Sequence, residues 1–205
     1  MSPVAESRVF KLSGGHPALD LVNTLDWRFR DREPDELLAS YADLLGFVEQ
    51  CNLLKQRQAR QLERDASVSE GERVLSEARQ LREALAGIFY AQLDGHDPPA
   101  GALRTLERLF KQLRERQKLT WDGARCRWNL SGMEDSQDFP LWLLARSASK
   151  LLLSSDMQML RSCGDPECGW LFLDTSKNHS RRWCDMKVCG NRMKARRFKA
   201  QQREG

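Results

Sequence analysis

Four of the six cysteines in this 205-residue chain lie close together near its carboxyl end. They form two Cys-x4-Cys pairs separated by 15 residues: Cys163, Cys168, Cys184 and Cys189. Two short pairs that are brought together by a turn or a hairpin can supply the four thiolates of a tetrahedral Zn²⁺ site. Such a site has no open coordination position, so it stabilises the fold and does not activate water. The pattern therefore predicts one structural zinc ion per chain.

Two alternatives to a four-thiolate zinc site are open at this stage. The cysteines could be buried, reduced thiols that pack as small apolar side chains. His179, which lies between the two pairs, could replace one of the cysteine ligands. The other two cysteines, Cys51 and Cys126, lie within apolar patterns and are predicted to be core residues.

The same C-terminal segment is strongly basic. Residues 163–205 carry ten Lys/Arg against five Asp/Glu, whereas the formal net charge of the whole chain is only +4. This asymmetry favours a polyanionic partner, because basic side chains that contact phosphates release counterions from duplex DNA. The predicted DNA contacts are Arg181, Arg182, Lys187, Arg192, Lys194, Arg196, Arg197 and Lys199. The alternative is that the cations near the cysteines offset the negative charge of a zinc–thiolate centre.

Four polar residues occur within and just before an apolar N-terminal helical pattern. They are the candidates for a small-molecule binding site: His16, Asp20, Asn23 and Thr24. The alternative is that these side chains cap or cross-link helices through buried hydrogen bonds.

Catalysis and membrane insertion both lack support in the sequence. The three histidines share no ligand spacing, and no Ser/His/Asp or Cys/His set can be assembled, so the chain is predicted not to be an enzyme.

The longest apolar stretch, Phe139 to Leu153, is interrupted by Arg146 and Lys150 and is shorter than the roughly 20 residues that cross a bilayer. The first 15 residues lack the apolar core of a secretory signal, so we expect a cytoplasmic protein.

Hydrophobic periodicity predicts a mainly α-helical N-terminal domain over residues 1–158. Apolar residues at helical spacing predict helices near residues 17–34, 35–51, 54–66, 69–93, 103–113 and 140–155. Ser69 and Glu72 have the spacing of a capping box at the start of the fourth helix. The Asp122-Gly123 pair lies between two runs rich in aromatic residues, which predicts one β-hairpin over residues 119–130.

Residues 159–205 are predicted to form a small finger of the treble-clef type. A strand is expected at residues 170–173 and a helix from Cys184 to Lys199. Trp183 and Phe198 are predicted to pack the module, and the alternative is that they contact a base. Because metal binding supplies much of the folding free energy of so small a unit, loss of one ligand should unfold the finger and spare the helical domain.

Two segments of the sequence resemble known families. The segment WCDMKVCGNRMKARRF, preceded by LFLDTSKNHSRR, resembles the CGNR zinc finger, whose name matches residues 189–192. The N-terminal GGHPALDLVNT resembles the start of the ABATE domain, which precedes that finger in bacterial proteins regarded as stress-induced transcription regulators. The resemblance implies a regulator that binds double-stranded DNA through its finger, while the helical domain senses a small-molecule effector or forms a homodimer. The alternative is a protein-interaction adaptor without DNA binding.

Overall fold

Amphipathic helices that pack on one another form the main core of the protein. The computed structural model describes residues 8–204. Within this range the α-helices are α1 (Pro17–Val22), α2 (Tyr41–Gln50), α3 (Gln56–Asp65), α4 (Val68–Asp94), α5 (Ala100–Arg116), α6 (Phe139–Leu152) and α7 (Asn191–Glu204). The prediction of a mainly α-helical fold is confirmed. None of the helices in the described range is both long and apolar enough to cross a membrane.

The strands of the described residues form three short antiparallel ladders. They are β1 (Leu25–Asp26) with β2 (Asp35–Glu36), β3 (Lys118–Trp121) with β4 (Cys126–Asn129), and β5 (Leu160–Ser162) with β6 (Leu171–Leu173). The sequence predicted only the β3–β4 hairpin and the region of β6. The remaining strands are two or three residues long, which is too short to give a recognisable alternation of apolar and polar residues.

Helix α4 is the centre of the helical packing, since it contacts α1, α2, α5 and α6. Its N-cap is Ser67, which forms a reciprocal capping box with Glu70. The capping box predicted at Ser69 and Glu72 is wrong, because the same spacing occurs two residues earlier and the extended backbone lies at Ser67. At the other end of α4, Gly95 adopts the left-handed conformation, with φ of 70°, and ends the helix.

Two predicted helix bounds also differ from the structure. Helix α1 ends at Val22 instead of continuing towards Pro34, and the chain then enters the short strands β1 and β2. Helix α2 begins at Tyr41 instead of Asp35, because Ser40 and Asp43 form the capping box that starts it. Both errors arose because turn and cap chemistry determined the bounds more strongly than the apolar pattern did.

The β3–β4 hairpin is confirmed, and its turn is stabilised by Asp122. One carboxylate oxygen of Asp122 accepts hydrogen bonds from the backbone N–H groups of Ala124 and Arg125, each at 3.0 Å. Every residue of β4 is exposed, including Cys126. The prediction that Cys126 is a core residue is therefore wrong, because this hairpin lies on the surface of the helices. Cys51 is partly buried and packs against the helical core.

Strand β6 connects the helical core with the cysteine cluster. Its three residues are all buried, although successive side chains of a strand point to opposite faces. Leu171 and Leu173 belong to the main helical core, whereas Phe172 packs with the four clustered cysteines and Trp170. Strand β6 is thus shared by two hydrophobic cores.

Candidate metal centre and basic helix

The four predicted ligands, Cys163, Cys168, Cys184 and Cys189, lie together in the structure. All four are buried, and their sulfur atoms lie within 4.8 Å of one another. The Sγ atoms of Cys168 and Cys184 are 3.7 Å apart, and those of Cys184 and Cys189 are 3.6 Å apart. A disulfide would need about 2.05 Å, whereas a tetrahedron with Zn–S bonds of about 2.3 Å has edges of about 3.8 Å. The cluster therefore fits one structural zinc ion, as predicted.

The first pair of cysteines is held by the β5–β6 hairpin. The Cys163 backbone N–H donates to the Trp170 carbonyl at 2.8 Å, and the Cys168 N–H donates to the Asp165 carbonyl at 3.1 Å. Gly169 follows with φ of 71°, and a Cβ atom added there would lie 2.9 Å from the Phe29 ring. Both the backbone conformation and the close aromatic contact therefore require glycine at this position.

The second pair of cysteines lies around a π-helical turn, Met186–Gly190, that leads into α7. The Asp185 carboxylate caps this turn by accepting from the Lys187 and Val188 N–H groups. A Cβ atom on Gly190 would lie 2.5 Å from the Met186 sulfur, so glycine allows the turn to close. The sequence predicted a regular helix from Cys184; instead, Cys184 precedes the turn and α7 begins only at Asn191.

His179 lies outside the cluster of four thiols. It is exposed, with φ of 47°, and its Nδ1 atom is 2.9 Å from the Asp174 carbonyl oxygen. The structure therefore gives no support to the alternative in which His179 replaces a cysteine ligand. Asp174 is buried and accepts hydrogen bonds from the Ser176 hydroxyl and the Arg181 N–H, and these bonds lower the pKa of its carboxyl group.

The Arg192 guanidinium is next to the metal site. It lies 3.3 Å from the Cys189 sulfur, forms an ion pair with the buried Asp165, and stacks 4.0 Å from the Trp27 ring centroid. Four thiolates around Zn²⁺ carry a formal net charge of about −2, so a neighbouring guanidinium is favourable. The geometry favours the charge-offsetting role for Arg192, and its contact with DNA stays a prediction.

Arg181 also acts within the fold. Its guanidinium donates to the carbonyl oxygens of Cys184 at 2.6 Å and Ser13 at 3.1 Å, and it lies 4.1 Å from the Phe172 ring centroid. These contacts join the metal site to the N-terminal segment. Arg196 is partly engaged as well, because it donates to the Glu167 carboxylate at 2.6 Å.

The other predicted DNA contacts are exposed. Arg182 lies over the Trp183 ring, 5.3 Å from its centroid. No ion pair forms within residues 8–202, whose side chains the structure describes, for any member of this group: Arg182, Lys187, Lys194, Arg197 and Lys199. Because each helical residue advances about 100°, Lys194 and Arg197 lie on the side of α7 opposite Arg192. Phe198 is 60% exposed, so the prediction that it packs the module is wrong, whereas Trp183 does pack against the cysteine cluster.

The four predicted ligand-binding residues all have partners within the chain. The Asn23 amide exchanges hydrogen bonds of 2.8 and 2.9 Å with the backbone of Leu171, and one Asp20 oxygen accepts from the Gly14 N–H at 2.7 Å. Thr24 donates to the Leu21 carbonyl, and His16 caps the Ala18 N–H. The cavity next to Asp20, Asn23 and Thr24 measures only 10 Å³, which is about the volume needed by one water molecule. The geometry favours the alternative of caps and cross-links, and a pocket at these residues stays a prediction.

Further contacts join the metal site to the helical core. The Trp170 indole donates to the Asp26 carboxylate at 2.7 Å, and the Tyr90 hydroxyl donates to the Gly169 carbonyl. The Leu173 N–H donates to the Gly14 carbonyl at 2.9 Å. These partners are far apart in the sequence, so local patterns gave no signal for them.

The sequence matches two family models. Residues 15–155 match ABATE, described as "putative stress-induced transcription regulator", and residues 159–202 match the CGNR zinc finger. Both resemblances inferred from the sequence are thereby confirmed. No curated protein matches the chain. The ABATE match covers more than half of the residues, and the chain therefore belongs to the ABATE family and carries a CGNR zinc finger.

Proposed function

We propose that this protein is a transcription regulator that binds duplex DNA through α7 and the preceding turn. The observation that carries the proposal is the exposure of α7. All residues from 194 to 202 are exposed, and α7 packs chiefly against its own π-helical turn. A basic helix that is free of tertiary packing can lie along a groove of DNA and contact phosphates.

The proposed contacts differ among the eight basic residues. Lys194 and Arg197 are the principal contacts on α7, and Lys199 adds a charge on the side of the helix that carries Arg192. Arg182 and Lys187 extend the surface at the metal site. Arg181 and Arg192 act within the fold, and Arg196 is shared between Glu167 and the DNA. Because phosphate contacts carry no sequence information, this surface supports binding to many sequences.

The test is the salt dependence of DNA binding by the zinc-loaded full-length protein. Each phosphate contact contributes about 0.9 to the slope of log K against log salt, so Lys194→Ala/Arg197→Ala should flatten the slope by about 1.8. The matched control is Arg57→Ala/Arg60→Ala on α3, where both side chains are exposed and form no ion pair with the side chains of residues 8–202. Fluorescence anisotropy with random-sequence duplexes measures the salt dependence of binding for both double variants. Equal losses in the two variants would show a net-charge effect only and would contradict the proposal.

The second candidate function is a protein-interaction adaptor. Three apolar side chains of the finger are exposed: Met186 by 46%, Val188 by 48% and Phe198 by 60%. Exposed apolar groups of this kind are typical of protein interfaces when they form one patch. The adaptor function is favoured over DNA binding if the zinc-loaded protein binds DNA no better than its Lys194→Ala/Arg197→Ala variant.

The proposal assigns no catalytic reaction to the chain. It places the protein in the cytoplasm, where thiolates stay reduced and available to zinc. Homodimerisation and an effector stay predictions, and a dimer would steepen the salt dependence because two helices would contact the same duplex.

A further inference from the structure

A large open cleft lies between the β3–β4 hairpin, the end of α5 and the middle of α6. Its volume is 890 Å³. Five basic side chains line it, against one carboxylate, Asp122: Arg114, Arg125, Arg127, Arg146 and Lys150. Neither the zinc site nor the basic helix α7 contributes to this cleft.

The basic groups of the cleft are mostly without acidic partners. Arg127 pairs with Asp122, but Arg125, Arg146 and Lys150 form no ion pair with any side chain between residues 8 and 202. Arg146 is half-buried, and burial alone lowers the pKa of its guanidinium. Keeping a desolvated cation without a counter-ion costs free energy. The Arg146 guanidinium is therefore available to an anionic ligand in the cleft.

An aromatic surface lies beside these cations. The Trp128 ring is partly exposed and lines the cleft, and the Arg114 guanidinium stacks 4.0 Å from its centroid. The side-chain amides of Gln117 and Asn129 also line the cleft and can donate hydrogen bonds. The cleft thus combines several positive charges, neutral donors and one flat apolar surface.

We propose that this cleft binds a phosphorylated small molecule with a planar ring, such as a nucleotide. Arg146 and Lys150 contact the phosphate groups, because guanidinium and ammonium groups form strong charge-assisted hydrogen bonds with phosphate oxygens. Trp128 and the Arg114 stacked on it hold the ring. The volume lies within the range of about 300 to 1,000 Å³ that is typical of small-molecule sites. The inference depends on these residues alone and not on DNA binding by α7.

The experiment is calorimetric titration of the zinc-loaded full-length protein with ATP, pyrophosphate and adenosine as separate probes. Arg146→Gln/Lys150→Gln should weaken ATP binding by about tenfold or more, since each charge-assisted contact contributes a comparable factor. The matched control is Arg104→Gln/Lys111→Gln, two exposed cations of α5 outside the cleft, which should leave the affinity unchanged. Trp128→Ala should weaken ATP binding but not pyrophosphate binding. Circular dichroism verifies that each variant is folded.

Several results would overturn the proposal. One is that none of the three probes binds measurably. Another is that the cleft and control variants lose the same amount of affinity for ATP. Equal affinities for ATP and pyrophosphate would show that the planar ring of the ligand does not contribute to binding. A short single-stranded oligonucleotide that binds far more tightly than ATP, with the same dependence on Arg146 and Lys150, would show that the cleft takes nucleic acid instead.

Discussion

The basic residues of the C-terminal region occupy two different environments. The guanidinium groups of Arg181 and Arg192 are held by backbone carbonyls, a cysteine sulfur and the buried Asp165. Lys194 and Arg197 lie further along α7 and have no ion-pair partner among residues 8–202. All four are basic residues of one short C-terminal segment. Position relative to the thiolates therefore decides whether a basic side chain stabilises the fold or stays available to a partner.

The largest expected effect comes from removing a metal ligand. Zinc binding by four thiolates contributes about 10 to 16 kcal/mol in small fingers, which is as large as the total stability of a typical domain. Cys184→Ser should abolish zinc retention. Because β6 belongs to both cores, the variant should also lower the thermal midpoint of the helical domain, which the sequence alone predicted to be spared.

Zinc content and far-ultraviolet circular dichroism during heating measure this effect. Cys126→Ser is the control, because that cysteine is exposed and far from the cluster in sequence. An unchanged helical melting transition in Cys184→Ser would show that the two cores unfold independently.

The next effect separates the two groups of basic residues directly. Arg192→Ala leaves the Asp165 carboxylate buried without its main partner, and breaking such a pair costs about 2 to 4 kcal/mol when one partner is partly solvated. Lys194→Ala should change the free energy of unfolding by less than about 0.5 kcal/mol. Unfolding in guanidinium chloride measures the free energies of unfolding of the two zinc-loaded variants. If the two variants were equally stable, the proposed division of the basic residues would be wrong.

A smaller effect is expected where the helical core meets the finger. Asn23→Ala removes both hydrogen bonds to the buried Leu171 backbone and should cost about 2 to 3 kcal/mol. The exposed Asn178 provides a control, and Asn178→Ala should be neutral. Equilibrium unfolding measures the difference. A loss below about 0.5 kcal/mol would show that this cross-link does not couple the two parts.

The smallest effect is a pH dependence at Asp20. Burial raises the pKa of its carboxyl group to about 6, so the native state binds more protons than the unfolded state between pH 4 and 6. Stability therefore falls as the pH rises through this range. Asp20→Asn should remove about 1 kcal/mol of the decrease between pH 5 and 7. Unfolding free energies in zinc-saturated buffer test this, and parallel pH profiles for the two proteins would contradict it.

Local chemistry made part of the molecule predictable. The two cysteine pairs predicted the metal cluster, and Asp122-Gly123 predicted the hairpin, because ligand spacing and turn preference act within short segments. The choice between Ser67 and Ser69 as a helix cap was not predictable in the same way. Both residues have a glutamate three positions later, so the sequence offers two equivalent capping boxes.

Tertiary contacts determined the features that the sequence did not predict. Asp165 and Trp27 flank Arg192 but have no spacing that relates them to it. Asn23 and Leu171 are 148 residues apart. The half-buried Arg146 occurs in an apolar helix, and no sequence pattern relates it to the β3–β4 hairpin that lines the same cleft.

Strand β6 also determines when the helical core can be completed during synthesis of the chain. Ribosomes synthesise the helices α1 to α6, residues 17–152, before Leu171 and Leu173 emerge. Until then, the side of the helical core that these leucines cover is open to solvent. Domains fold during synthesis as their segments become available. We therefore expect the nascent helices to complete their core only when the β5–β6 hairpin arrives, and the four-thiolate site to close later, when Cys184 and Cys189 have also been synthesised.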